Sequence, residues 1–177
     1  MRSGNCAARR SRIGRRYASR RRTLFRGLDE QGAREPIDLN LLVESVRRDF
    51  LEMGAEVGVS GQALAPLWGR PQAIKRCLTN LVSNAVKFGR HVGIAMQDGE
   101  AVRICVRDDG PGIAPEQLER VFEPFYRIEV SRNRDTGGTG LGLSIARDVA
   151  QAHGGTVMLR NRPGGGLEAE LTLPRRP

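Results

Sequence analysis

The sequence predicts an α+β fold in which a mixed sheet is covered by helices on one face, with one mobile, glycine-rich loop. Three observations predict it. Apolar residues recur at helical spacing in several segments, and shorter segments between them read as strands. The two kinds are mixed without a regular βαβ alternation, which favours helices gathered on one face of a mixed sheet.

A chain of 177 residues holds one domain of ordinary size plus a tail. The tail is expected at residues 1–35, rich in Arg, Ser and Gly and nearly aperiodic, as a disordered arm or remnant linker; the domain is expected over 36–177. Net charge is +9, yet residues 1–26 alone hold ten arginines and no acid, so the rest of the chain is close to neutral. The basic pI therefore describes the arm and says nothing of what the body binds. Hydrophobic runs such as Ile104–Val106 and Leu171–Leu173 are far too short to cross a bilayer, and no apolar stretch follows the basic start as in a secretory signal. A cytoplasmic location is expected.

Cys6, Cys77 and Cys105 show no paired spacing, and the last two fall in apolar patterns, as small buried hydrophobes do. Only His91 and His153 are present, neither in a ligand-like cluster, so a structural zinc site is not expected.

Taken in order, Asp38 stands as an N-cap before Leu39, Leu42, Val43, Val46 and Phe50, a helical stripe ending near Gly54. A strand at Glu56–Ser60 and an extended stretch at Ala65–Trp68 follow. Pro71 opens a helix whose apolar face is Ile74, Leu78, Leu81, Val82 and Ala85, running to Phe88 with Gly89 as its stop. His91–Gln97 and Ala101–Val106 pair across the Asp98-Gly99 turn. A short helix from Pro115 holds Leu118 and Val121, and residues 126–138 form a polar, glycine-rich loop. Thr139–His153 is helical. Strands Thr156–Arg160 and Leu167–Leu173 close the chain around the Pro163–Gly166 turn.

Three clusters carry chemistry. Asn80, Asn84 and Lys87 are spaced i, i+4, i+7 along one side of the second helix. Such a stripe can be a solvated face, but an asparagine carbonyl can also ligate Mg²⁺ and a lysine can neutralise phosphate oxygens. The second cluster, Asp108-Asp109-Gly110-Pro111-Gly112-Ile113, follows a strand. It is either an Asp-Gly turn or a carboxylate placed to accept from an exocyclic amine such as that of adenine, beside glycines that let a flat ligand approach. The third, Gly137-Gly138-Thr139-Gly140-Leu141-Gly142-Leu143, runs into a helix, where main-chain N–H groups can converge on an anion. No lysine follows these glycines, and a long loop precedes them, so neither the phosphate loop with GK[ST] nor the dinucleotide fingerprint fits.

In sequence order, Asn80-Leu-Val-Ser-Asn84-Ala-Val-Lys87-Phe88, Asp108-Asp-Gly110-Pro-Gly112-Ile113, Phe122-Glu-Pro-Phe125-Tyr-Arg127 and Gly138-Thr-Gly140-Leu-Gly142-Leu resemble the N, G1, F and G2 boxes of bacterial sensor histidine kinases. The similarity runs from about Glu35 to Pro174, and the F box separates this branch from gyrase, the heat-shock chaperone and MutL relatives.

The resemblance implies a two-layer α/β sandwich with a flexible ATP lid, and an ATP site with Mg²⁺ between the helices. Asn84 would ligate the metal, Asn80 would lie near the phosphates and orient the reaction, and Lys87 would contact phosphate. Phe88 would pack near the adenine, Asp108 would take its amino group, and Gly110, Gly112 and Ile113 would line the base. Arg127 and Arg132, in a lid over Arg127–Gly138, would reach the phosphates, as would Gly138, Thr139, Gly140, Leu141 and Gly142 at the start of the last helix. His153 is expected to be structural, and His91 to cap the connection between helix and strand.

The family transfers the γ-phosphoryl of ATP to a histidine on a separate dimerisation domain and then to a response regulator, so those are the implied partners. No histidine precedes His91, so the acceptor segment of the form His-(Glu/Asp)-x-x-x-Pro is not in this sequence. Two alternatives stay open: a nucleotide-binding module without kinase activity, and nucleic-acid binding by the arm. The arm has little aromatic interleaving beyond Tyr17 and Phe25, which speaks against the latter, and no nucleic-acid partner is expected.

Overall fold

The computed structural model describes residues 32–128 and 139–175, within which a compact unit starts at Arg34. The expected arm lies almost wholly outside these residues.

Strand β1 (Glu35–Ile37) leads to α1 (Leu39–Glu52), opened by Asp38, whose carboxylate accepts the N–H groups of Asn40 and Leu41. Such a cap contributes about 1 kcal/mol. Strands β2 (Val57–Ser60) and β3 (Leu67–Gly69) precede α2 (Pro71–Phe88), which has Pro71 in its first turn and stops at Gly89. Then come β4 (Val92–Gln97), β5 (Ala101–Asp108), two 3₁₀ turns (Pro115–Gln117 and Arg120–Phe122), α3 (Gly142–Ala152), β6 (Thr156–Asn161) and β7 (Leu167–Pro174).

The main sheet has the order β2-β4-β5-β7-β6, with β2 and β4 parallel and every other pair antiparallel. Strands β1 and β3 form a separate antiparallel pair. Alternation along the strands decides which face is covered. Val92, Ile94 and Met96 of β4, Val102, Ile104 and Val106 of β5, and Ala169, Leu171 and Leu173 of β7 are buried and join one core with the helices. The opposite face carries Arg103, Arg107, Arg160, Glu168 and Glu170, paired across strands as Arg107–Glu168 and Arg160–Glu170.

Helix α2 is central. It buries Ala73, Ile74, Cys77, Leu78, Leu81, Val82 and Ala85. Fully burying one leucine or isoleucine of that set contributes roughly 1.5–3 kcal/mol, so Leu78→Ala alone would remove a large part of the net stability.

The fold class is as the sequence predicts. Most strand ends shift by one or two residues, and three differences have a clear physical reason. Strand β5 runs on through Asp108 because Arg107 and Asp108 pair with Gly93 and Val92. The segment after Pro115 is two 3₁₀ turns rather than a short α-helix. Helix α3 begins at Gly142, not Thr139, since Gly140 has φ +70° and its carbonyl accepts the N–H of Phe125.

Candidate functional site

One end of the sheet gathers the C-terminal end of β5, the start of β4 and the β6–β7 turn, through the register pairs Val92–Asp108 and Asn161–Leu167. The end of α2 arrives at the same place. A Cβ on Gly110 would lie 2.8 Å from the Phe88 carbonyl oxygen, and one on Gly89 would lie 2.7 Å from Asp108 Cβ. Two clusters distant in sequence are therefore in main-chain contact.

Asp108 is buried, with 5% exposure, and has no cationic side chain bonded to its carboxylate among the described residues. Its Oδ1 accepts the N–H groups of Gly110 at 2.8 Å and Leu167 at 3.2 Å, which fixes the carboxylate. Among the described residues no donor reaches Oδ2. An Oδ2 that the protein leaves free of donors can accept from a ligand amine.

Asp109 is different. Its carboxylate accepts the N–H groups of Arg90 and His91 and the Nδ1 of His91, at 2.7, 2.9 and 2.6 Å. The His91 main-chain hydrogen bond above all, with its ring second, holds this acid well below the usual carboxylate range. Asp109 thus organises the α2–β4 connection, and His91 takes part in that connection.

On α2, Asn80 and Asn84 are half-buried, as is Lys87, while Phe88 is exposed with Lys87 Nζ 5.0 Å from its ring centroid. Asn80 Nδ2 is buried and has no hydrogen-bond partner among the described residues. Gly142, the first residue of α3, faces it: a Cβ there would lie 3.6 Å from Asn80 Oδ1. The structure so brings the glycine-rich segment against the asparagine stripe. Lys87 is depressed below its ordinary value, first by desolvation and then by the guanidinium of Arg127. Two cations brought together in this way suit an anion between them.

At the start of α3 the first helical bond is Ile145 N–H to the Leu141 carbonyl, and among the described residues no side chain caps the helix. The N–H groups before Ile145 have no intrahelical acceptor. Thr139, Gly140 and Leu141 lie just ahead of them, outside any helix. Arg132 and Gly138, with most of the expected lid, lie outside the described residues.

Several residues that sequence patterns did not single out hold the site together. Arg162 Nη1 donates to the Asp108 carbonyl at 2.8 Å. Asn161 bonds both main-chain groups of Ile113. Gly166, at φ +92°, packs so tightly on the Asp108 main chain that no Cβ fits. Arg147 of α3 holds Glu119 with both arms, at 2.6 and 3.0 Å, and stacks 3.5 Å from the Phe122 ring centroid, fixing the F-box segment to the helix. Only the run of glycines at 164–166 hinted at close approach; nothing marked the others.

Cys77 and Cys105 are buried free thiols. Cys105 sits on the sheet face away from the helices, beside Glu168 and Glu170, and those carboxylates are committed to Arg107 and Arg160.

A buried acid at a strand end, an amide-bearing helix and a glycine-rich helix start thus share one edge of an α+β sandwich. The chain belongs to the histidine kinase-, DNA gyrase B-, and HSP90-like ATPase family, whose model matches residues 69–177. Within it, the relatives are sensor histidine kinases. The sensor histidine kinase GtrS of Pseudomonas aeruginosa is 46% identical over 142 residues, covering 80% of this chain and 29% of that protein. CpxA of Escherichia coli strain K12 is 44% identical over 112 residues, covering 62% and 24%. The chain therefore spans less than a third of the length of either.

Among solved structures, a mycobacterial sensor histidine kinase, MprB, superposes with a TM-score of 0.69 at 25% identity, covering 82% of this chain and 99% of that one. Full-length ShkA in complex with AMPPNP superposes at 0.68 with 30% identity, covering 81% and 31%. Among the described residues no helix is long and apolar enough to cross a membrane.

Proposed function

We propose that residues 36–177 form the ATP-binding catalytic domain of a two-component sensor histidine kinase, binding Mg²⁺-ATP and donating its γ-phosphoryl to a histidine on a separate dimerisation domain. A response regulator would take the phosphoryl next, and the domain would work in the cytoplasm. The observation that carries the proposal is Asp108: a buried carboxylate, fixed through one oxygen by main-chain donors, whose other oxygen faces no donor among the described residues. An adenine amino group satisfies it.

The remaining residues divide between base and phosphates. Phe88, Gly110, Gly112 and Ile113 surround the base. Lys87 and Arg127 balance phosphate charge, and the N–H groups from Gly142 on, with Thr139, Gly140 and Leu141 ahead of them, receive phosphate oxygens. Arg132 and Gly138, outside the described residues, would contact the phosphates as well.

A magnesium ion fits this set. Asn84 offers a neutral carbonyl oxygen, and the orphaned Nδ2 of Asn80 one turn earlier suits a phosphate oxygen or a metal-bound water. Bound there, Mg²⁺ would neutralise charge on the phosphates. The protein's own residues have only to position and to neutralise, since phosphoryl transfer asks for little else.

Two measurements test the proposal. Calorimetric titration with Mg²⁺-ATP should give a 1:1 isotherm that Asp108→Asn weakens at least tenfold, and unchanged affinity in that variant would sink the adenine assignment. Mixing the chain with a dimerisation domain and γ-labelled ATP should label that domain's histidine. Binding without label transfer would leave a nucleotide-binding module and overturn the kinase assignment.

A further inference from the structure

Strand β6 ends at Asn161, an exposed residue outside every box the sequence displays. Its Oδ1 accepts the N–H of Ile113 at 2.9 Å and its Nδ2 donates to the Ile113 carbonyl at 2.6 Å. The side-chain amide thus stands in for one rung of a β-ladder, pairing a residue that belongs to no strand. Next to it, Gly112 adopts φ +73°, and a Cβ there would fall 2.6 Å from Asn161 Oδ1. The loop and the amide are shaped to each other, and only glycine permits so close an approach in that conformation.

The same hairpin grips the other end of the segment. Arg162 donates to the Asp108 carbonyl, Leu167 N–H donates to Asp108 Oδ1, and Gly166 packs on the Asp108 main chain. Residues 108 to 113 are held at both ends by one turn of chain about fifty residues downstream.

We infer that Asn161 is a positioning residue of the nucleotide site, setting the main chain of Gly112 and Ile113 against which the adenine ring lies. This rests on the adenine assignment above. Asn161 touches no reacting atom; it acts through Ile113. Exposed hydrogen bonds contribute little to global stability, yet a loop with no secondary structure depends on them for its conformation. Loss of Asn161 therefore should separate two quantities that an ordinary structural lesion moves together.

The test uses the full chain with ADP and Mg²⁺, comparing wild type, Asn161→Ala and Asp108→Asn. Asn161→Ala should raise the ADP dissociation constant about tenfold, the scale of two lost surface hydrogen bonds, and speed amide exchange at Ile113. The urea midpoint should stay as in wild type. A fall in the urea midpoint that accounts for the lost affinity would overturn the inference in favour of a structural role. Unchanged ADP affinity in Asn161→Ala, with a marked loss in Asp108→Asn, would overturn it while leaving the adenine assignment standing. Unchanged affinity in Asp108→Asn would instead remove that assignment and this inference with it.

Discussion

His153 Nε2 accepts the main-chain N–H of Arg70 at 3.1 Å while its Nδ1 donates to the Val149 carbonyl at 2.8 Å. Both roles are available only to the neutral ring protonated at Nδ1. The residue lies where α3 ends and locks that end to the start of α2. Burial lowers its pKa from the ordinary value of 6.5, and the nearby Arg34 and Arg70 push the same way, against the Val149 hydrogen bond. The unfolded chain therefore takes up a proton first as pH falls. This contribution to stability is complete above pH 6.5 and is lost as pH drops below it toward the depressed folded value. Urea midpoints at pH 7.5 and 5.5 should show a fall in wild type that is smaller in His153→Gln. Equal falls in both would contradict the assignment.

The adjacent acids Asp108 and Asp109 should separate by function. Asp109 spends its oxygens on Arg90 and His91, and it is Asp108 that faces the candidate base site. Asp109→Asn should leave the ADP dissociation constant within about threefold, against at least tenfold for Asp108→Asn, a difference of roughly 0.7 kcal/mol or more. The reverse order of effects would move the base to the other carboxylate.

Gly166 should not tolerate a side chain. At φ +92° an alanine is strained, and its Cβ would collide with the Asp108 main chain. Gly166→Ala should cost about 2–4 kcal/mol in urea unfolding, more than a usual surface change. Gly164 has a comparable φ of +91° but open space around it, so Gly164→Ala should cost only the strain, about 1–2 kcal/mol. Equal costs would mean that the contact with Asp108 relaxes freely.

Periodicity and punctuation made much of this legible from sequence. The Asp38 cap, the Pro71 start, the Gly89 stop and the apolar face Ile74–Ala85 are local signals, and they fall where α1 and α2 begin and end. Helix α3 starts three residues later than the glycine-rich pattern predicts because a tertiary bond, Phe125 N–H to the Gly140 carbonyl, holds the chain before Gly142 out of the helix. That bond also holds Phe125 at φ +65°, a conformation no local pattern announces. The clusters around Asn80, Asp108 and Gly142 were visible one by one, and their meeting is a property of the sheet register. The braces Asn161, Arg162 and Arg147 were invisible for a simpler reason: each acts through a long-range hydrogen bond from a residue type common on any surface.

Ligand linkage offers the most direct measure of the metal. A ligand that binds only the folded state stabilises it by about 2.7 kcal/mol at a hundred times its dissociation constant. ATP with Mg²⁺ should therefore raise the urea midpoint clearly, and a chelator should lower it again. Asn84→Ala keeps Asp108 and the base contacts but removes the proposed metal-ligating oxygen. It should still respond to ATP, with a response that no longer differs between magnesium and chelator. Were the magnesium effect retained in Asn84→Ala and abolished in Asn80→Ala, the ligand would be the amide of Asn80, whose Nδ2 has no partner among the described residues and whose oxygen lies closest to Gly142. The two single variants thus decide which asparagine of the α2 stripe meets the ion.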